Sequence, residues 1–134
     1  MTERRNISSG AKWEALVGYS RAVRVGNIVH ISGTVAADAN GQLVGENDAT
    51  AQARFILQKI EKYLNEAGAE MRHVIRTRMF VTDAGLWEEV GRVHHEFFGD
   101  VCPVTTLVEV SALIGSGYLI EIEAEALIHD EDGL

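Results

Sequence analysis

The chain has 134 residues, 46% hydrophobic and 24% charged, the proportions of one globular domain long enough to close its own core. Its formal net charge of −8 at pH 7 repels a phosphate backbone at long range, so no nucleic-acid partner is expected, and no apolar run approaches the ~20 residues of a bilayer helix, so no membrane is expected. The single cysteine, Cys102, cannot form an intrachain disulfide, and MTERRNISSG at the N-terminus lacks the apolar segment of a secretory signal, which makes cytoplasmic the expected location.

One domain spanning 1–134 is expected, with its core over about 15–128 and fraying at Met1–Arg5 and His129–Leu134, where the composition is too polar to pack. RAVRVGNIVHISG reads as two strands around Gly26-Asn27, a two-residue loop suited to a tight hairpin. Asp38-Ala39-Asn40-Gly41 supplies a second turn. The period then changes. Ala53, Ile56, Leu57, Ile60, Leu64 and Ala67 fall at the spacing of one helical face, with Gln52, Lys59, Lys62 and Glu66 off it. Asn47 or Asp48 can cap the start, and Gly68 suits the left-handed position past the end. VIRTRMFV, residues 74–81, is a strand by composition, and Thr82-Asp83 leads into a helix over 84–98 with Leu86, Val90, Val93 and Phe97 inward. Two further strands, TTLVEVSAL and YLIEIEAEALI, flank Ile114-Gly115-Ser116-Gly117. In the second of these, Ile120, Ile122, Ala124, Ala126 and Ile128 alternate with Glu121, Glu123 and Glu125. Before the first, Pro103 locks one backbone angle and biases Cys102 toward extended geometry.

The order of elements implies an α+β fold in which two helices cover one face of a mixed sheet. Valine, leucine and isoleucine occur at both parities in 28–35 and 104–113, so the second face is not wholly water-facing. Self-association with cyclic symmetry is the natural way to cover it.

Four stretches carry a resemblance: Gly18-Tyr19-Ser20-Arg21-Ala22-Val23; Gly26-Asn27 through Ile31-Ser32-Gly33; Pro103 before Val108-Glu109-Val110; and Ile120-Glu121-Ile122-Glu123-Ala124. Together they resemble the RidA/YjgF family, also called endoribonuclease L-PSP, over about residues 15–128. The resemblance implies a chorismate-mutase-like fold, a trimeric barrel-like assembly with intersubunit clefts, and hydrolysis of imines or enamines to a keto acid and ammonia without metal or organic cofactor. It also implies that Glu121 handles the water and that Tyr19 and Ser32 line the pocket. The arginine with which the deaminating branch holds a substrate carboxylate does not carry over: Pro103-Val104-Thr105 places a threonine there, and Gly91 replaces an asparagine of the second helix. If binding an imino acid depends on that bidentate arginine–carboxylate pair, its loss weakens binding by on the order of a hundredfold or more. Arg21, Arg76 and Arg78 are the candidates to supply the charge from elsewhere, Arg21 first because its motif places it near the cleft.

The residues expected at the site are therefore Glu121 as catalytic group, and Tyr19, Arg21, Ser32, Thr105, Cys102 and Trp13 as binding groups for a small, carboxylated ligand. No metal is expected: His94-His95 are neighbours that diverge by about 100 degrees on a helix and lack a partner at i+4. Cys102 reads as a small residue near the cleft rather than a nucleophile, which needs a base in reach. Trp13 is a candidate lid. Two functions stay open, a deaminase with a non-standard substrate and a non-catalytic metabolite-binding or regulatory trimer. RNA cleavage, suggested by the family's other name, is disfavoured by the acidic balance and by the lack of a basic-aromatic stripe.

Overall fold

In a computed structural model, which describes residues 2–130, the chain forms β1 (Arg4–Ile7), α1 (Lys12–Val17), β2 (Ala22–Val25), β3 (Ile28–Thr34), α2 (Ala49–Glu66), β4 (Val74–Val81), α3 (Trp87–Phe98), β5 (Val104–Glu109) and β6 (Ile120–Leu127). The strands make one sheet in the order β1-β2-β3-β6-β4-β5. Only β4 and β5 pair in parallel. Because β6 runs antiparallel to both β3 and β4, those two are parallel to each other and are joined across it by α2, just as α3 joins β4 to β5. Both crossovers lay their helices on the same face, as the alternation of β6 requires.

That face is the core. Val29 and Ile31 of β3, Met79 and Val81 of β4, and Ile120, Ile122, Ala124 and Ala126 of β6 meet Ile56, Leu57, Ile60 and Leu64 of α2 and Val90, Val93 and Phe98 of α3. Fully burying each of these larger side chains stabilises the fold by about 1.5–3 kcal/mol. Phe98, rather than Phe97, goes deepest; Phe97 and Leu86 pack at the margin. Opposite them, the uncovered face presents Arg76, Arg78 and Phe80 of β4, the three glutamates of β6, and Val104, Thr106 and Val108 of β5. Arg78 reaches Glu123 at 3.5 Å and Glu125 at 3.3 Å.

Local chemistry sets the element ends. Asp48 accepts a hydrogen bond from the Ala51 amide at 3.0 Å and starts α2, and Gly68 takes φ 87 beyond its end. Gly26, at φ 58, turns the β2–β3 hairpin so that Val25 faces Ile28. β5 ends at Glu109 and β6 starts at Ile120, both shorter than the apolar pattern suggested.

Three expectations are corrected. The N-terminus does not fray up to Arg5: Arg4–Ile7 pair with Ala22–Val25, adding β1 to the sheet edge, and the short α1 makes a third helix. The expected C-terminal fray falls mostly outside the described residues. Gln52, placed off the core face of α2, is fully buried; its amide donates to the Gly45 and Gly117 carbonyls at 3.0 Å and accepts from Leu119 at 2.8 Å. A polar group is stable there because all its partners are backbone groups of two converging loops. Cys102 is not extended but sits at φ 52. Pro103 disfavours the right-handed helical region for the preceding residue, while the Cys102 amide bonds the Phe98 carbonyl at 2.8 Å. The residue closes α3 by turning left-handed.

Candidate functional site

Six of the seven residues expected at the site fall into two groups. Tyr19, Arg21, Ser32 and Glu121 gather where β2, β3 and β6 adjoin, while Thr105 and Cys102 belong to the opposite side of the sheet, on and before the edge strand β5. Trp13 stands on α1, 54% exposed, with the Lys12 ammonium 5.1 Å from its ring centroid. It does not line the cleft described next.

At the first corner, α1 ends as Gly18 takes φ 89 and the amides of Gly18 and Tyr19 both bond the Glu14 carbonyl, at 2.8 and 3.0 Å. The Tyr19 ring is thereby set at the mouth of a cleft of about 490 Å³, shared with Ser32, Ser20, Glu14, Asn6 and Arg4. The Ser32 hydroxyl donates to the Ser20 carbonyl at 2.6 Å and its amide bonds the Arg21 carbonyl at 3.0 Å, tying the β3 bulge to the residues that lead into β2. Glu14 is buried; its carboxylate accepts from the Ser9 amide at 3.1 Å and from the Ser9 hydroxyl. Burial works to raise the Glu14 pKa, but the bonds from Ser9 and Ser8 outweigh it and hold the group below its ordinary range.

One residue beyond Ser32, Gly33 makes room for Glu121. A Cβ at Gly33 would lie 2.2 Å from a Glu121 carboxylate oxygen, although the backbone there is ordinary; glycine serves close approach, not an unusual φ. Burial raises the Glu121 pKa, the Arg21 guanidinium pulls against this, and Glu123 pushes it up again, with a net rise. A carboxyl poised this way exchanges protons more readily near neutral pH than a solvated one. Arg21 is 8% exposed and donates from Nη2 to the Gly33 carbonyl at 2.5 Å, while its buried Nε has no acceptor among the described residues. It braces the bulge beneath Glu121. Arg76 and Arg78 lie on the uncovered face, away from this corner, and Arg78 is occupied by Glu123 and Glu125.

The other group is a chain of hydroxyls. Thr105 pairs with Thr77 across β4 and β5 and shares its helix-covered face. The Thr77 hydroxyl, fully buried, donates to Thr105 Oγ1 at 2.8 Å and lies 2.8 Å from His94 Nε2 of α3. Thr77 has one proton to give, so donating it to Thr105 requires His94 to carry its proton on Nε2. The Thr105 hydroxyl, exposed at the sheet edge, then faces outward as a donor polarised by the two groups behind it. Burial lowers the His94 pKa and favours the neutral ring. Cys102, exposed, directs its thiol to the Gly99 carbonyl at 3.3 Å.

Arg4, Asn6, Glu14, Thr77 and His94 are the residues that sequence reasoning missed as parts of these two regions. One signal was available for Thr77, a hydroxyl at a core parity of an otherwise apolar strand; for Arg4 and Asn6 none was, because their strand exists only through pairing with β2.

Comparison with known proteins agrees with this architecture. A family model described as Endoribonuclease L-PSP matches residues 10–128. A crystal structure of Rv2704 from Mycobacterium tuberculosis, a member of the YjgF/YER057c/UK114 family, superposes with a TM-score of 0.86 at 47% identity, covering 94% of this chain and 100% of that one. An uncharacterized protein of Streptomyces coelicolor is 37% identical over 91% of this chain and 90% of its own. The human 2-iminobutanoate/2-iminopropanoate deaminase is 32% identical over 92% of this chain and 90% of its own. The chain belongs to the endoribonuclease L-PSP family, the RidA/YjgF proteins, and has their α+β, chorismate-mutase-like fold.

Proposed function

We propose that the chain forms a homotrimer whose intersubunit clefts bind a small carboxylated metabolite and hydrolyse an imine or enamine of it, releasing ammonia. The relatives include a deaminase of 2-imino acids, and the observation that carries the reading is the half-buried Glu121 carboxylate, raised in pKa and set against Gly33 beside the Ser32 and Tyr19 cleft. The trimer brings Thr105 and Cys102 of one subunit toward Tyr19, Ser32 and Glu121 of the next, and so unites groups that lie on opposite sides of one sheet.

In this mechanism water adds to the carbon of the protonated imine, the C=N electron pair moves to nitrogen, and Glu121 takes the proton that the attacking oxygen loses. The same carboxyl returns that proton to the amine nitrogen of the carbinolamine. The C–N bond then breaks, its electron pair leaving with ammonia, and the carbonyl forms as the hydroxyl proton passes to the Glu121 carboxylate and from there to the departing ammonia, which leaves as ammonium. A single group serves both transfers only if its pKa lies nearer the working pH than that of a solvated carboxylate, the direction in which burial moves Glu121. Ser32 and Tyr19 orient the substrate. Thr105 meets it with a neutral hydroxyl where the deaminating relatives' motif has an arginine, so the preferred substrate differs from theirs.

Ammonia release from freshly generated 2-iminopropanoate tests the reading. Turnover that disappears in Glu121→Gln supports it, and turnover no faster than in buffer removes the enzyme. The hydroxyl chain from His94 to Thr105 favours a second reading in that event, a trimer that binds a metabolite without converting it. A light-scattering mass of one chain would overturn both readings, because each needs the intersubunit cleft.

A further inference from the structure

The cleft beside Tyr19 and Ser32 contains one cationic side chain among its lining residues, Arg4. It comes from β1, whose four residues are held in register against β2, with the Ile7 carbonyl bonded to the Arg21 amide at 2.9 Å. Its side chain is set by two further bonds. Asn6 Nδ2 donates to the Ser20 hydroxyl at 2.9 Å, which fixes the orientation of the amide, and Asn6 Oδ1 then accepts from Arg4 Nε at 2.9 Å. Holding Nε fixes the plane of the guanidinium and leaves both terminal NH2 groups without an acceptor among the described residues. That is the arrangement a bidentate carboxylate contact requires.

The other arginines nearby are differently placed. Arg5 donates to the Glu66 carbonyl at 3.1 Å, Arg24 to the Ala67 carbonyl at 2.8 Å, and Arg21 to the Gly33 carbonyl. Glu14, the acidic residue of the same cleft, has its carboxylate engaged by Ser9, so no ion pair within the cleft competes for Arg4. We propose that Arg4, positioned by Asn6 and Ser20, binds the carboxylate of the ligand and supplies from β1 the charge that Thr105 lacks on β5. This rests on the reading of the cleft as the ligand site, but it concerns binding and can be tested without turnover.

Calorimetric titration of the full chain with pyruvate, a 2-oxo acid of the product class, is compared with titration by its neutral amide, pyruvamide. Arg4→Gln is expected to weaken pyruvate binding by about tenfold or more while leaving pyruvamide unchanged. Arg4→Lys, which keeps the charge and loses the fork, recovers part of the loss. Arg5→Gln removes the same charge from the same strand and leaves both affinities as they were. Unequal loss of the two probes separates a missing charge from a loosened strand. The proposal is overturned if Arg4→Gln binds pyruvate as the parent does, if Arg5→Gln costs as much, if pyruvate and pyruvamide weaken together, or if the parent binds neither. Pyruvate binding that depends on Arg4 without any ammonia release leaves the inference standing and removes the deaminase; turnover lost in Glu121→Gln with KM unmoved in Arg4→Gln does the reverse.

Discussion

The corner built on β2, β3 and β6 and the edge built on β4, β5 and α3 both bury a titratable side chain, and burial moves the two in opposite directions. Glu121 is raised in pKa beside the charged Arg21, while His94 is lowered and backs a line of two neutral hydroxyls. In the proposed mechanism the first region moves a proton, with a carboxyl that burial draws toward its neutral form. The second is organised to offer a hydrogen bond, and its direction follows the tautomer of His94. Residues that surround a site by sequence motif thus do different chemistry according to what backs them. Arginine at position 105 would make the second region a charge clamp; threonine makes it the exposed end of an internal chain.

The sharpest way to break this comparison is by rate. Glu121→Gln is expected to lower ammonia release by about 10²- to 10⁴-fold, whereas Thr105→Val, which removes one neutral hydrogen bond, costs on the order of tenfold; equal losses in single-turnover assays would mean that the two regions do not divide the work. Next comes Gly33→Ala. Its Cβ would displace the Glu121 carboxylate, and a misplacement of about 1 Å costs around a hundredfold in kcat. The obstacle is the far end of a flexible side chain, so the melting temperature should stay close to that of the parent. A matching fall in melting temperature would assign Gly33 to the fold instead.

Thr77→Val preserves shape and severs the second region. It leaves His94 Nε2 and Thr105 without their shared partner and should destabilise the chain by about 1–3 kcal/mol in denaturant unfolding, with little effect on the Glu121 corner. The smallest expected effect is the pH dependence, and its sign differs between the regions. For His94, folded pKa below the ordinary 6.5, the unfolded chain binds the proton first as pH falls. Stability present above 6.5 is therefore lost toward the folded value. His73, lowered mainly by burial and also by Arg72, adds to that slope. For Glu121, folded pKa above the ordinary 4.5, the folded chain keeps the proton longer; stability present below 4.5 is lost as pH rises through the raised value. Thermal unfolding over about pH 4 to 8 should show Glu121→Gln raising the melting temperature at neutral pH and His94→Asn flattening the acid limb. Identical shifts in both variants would refute the contrast.

Much of the fold was legible because its signals are local. The spacing of Ile56, Leu57, Ile60 and Leu64, the Asp48 cap, Gly68 and the Gly26-Asn27 hairpin each depend on a few neighbouring residues, and β4 occupies the residues that composition assigned to it. Motif likeness also named Tyr19 and Ser32, which do line one cleft. Most of the misses are contacts between residues far apart in the chain; the left-handed Cys102, bonded to Phe98 four residues earlier, is a local one. β1 forms because β2 offers an edge, Gln52 is buried because two loops supply its partners, and Thr105 meets Thr77 and His94 only when β5 docks beside β4 under α3.

The order of elements from β2 to β6, the family and the glutamate alternation of β6 follow from the sequence by itself, since periodicity and turn chemistry act over a few residues. Which arginine faces the cleft was decided by tertiary structure alone. Arg21 lies in the motif and turns inward to the Gly33 carbonyl, while Arg4 lies in a segment too polar to predict as ordered and is held in the cleft by Asn6 and Ser20. A guanidinium takes the partners that the folded chain leaves open to it, and those partners come from strands that meet only after folding.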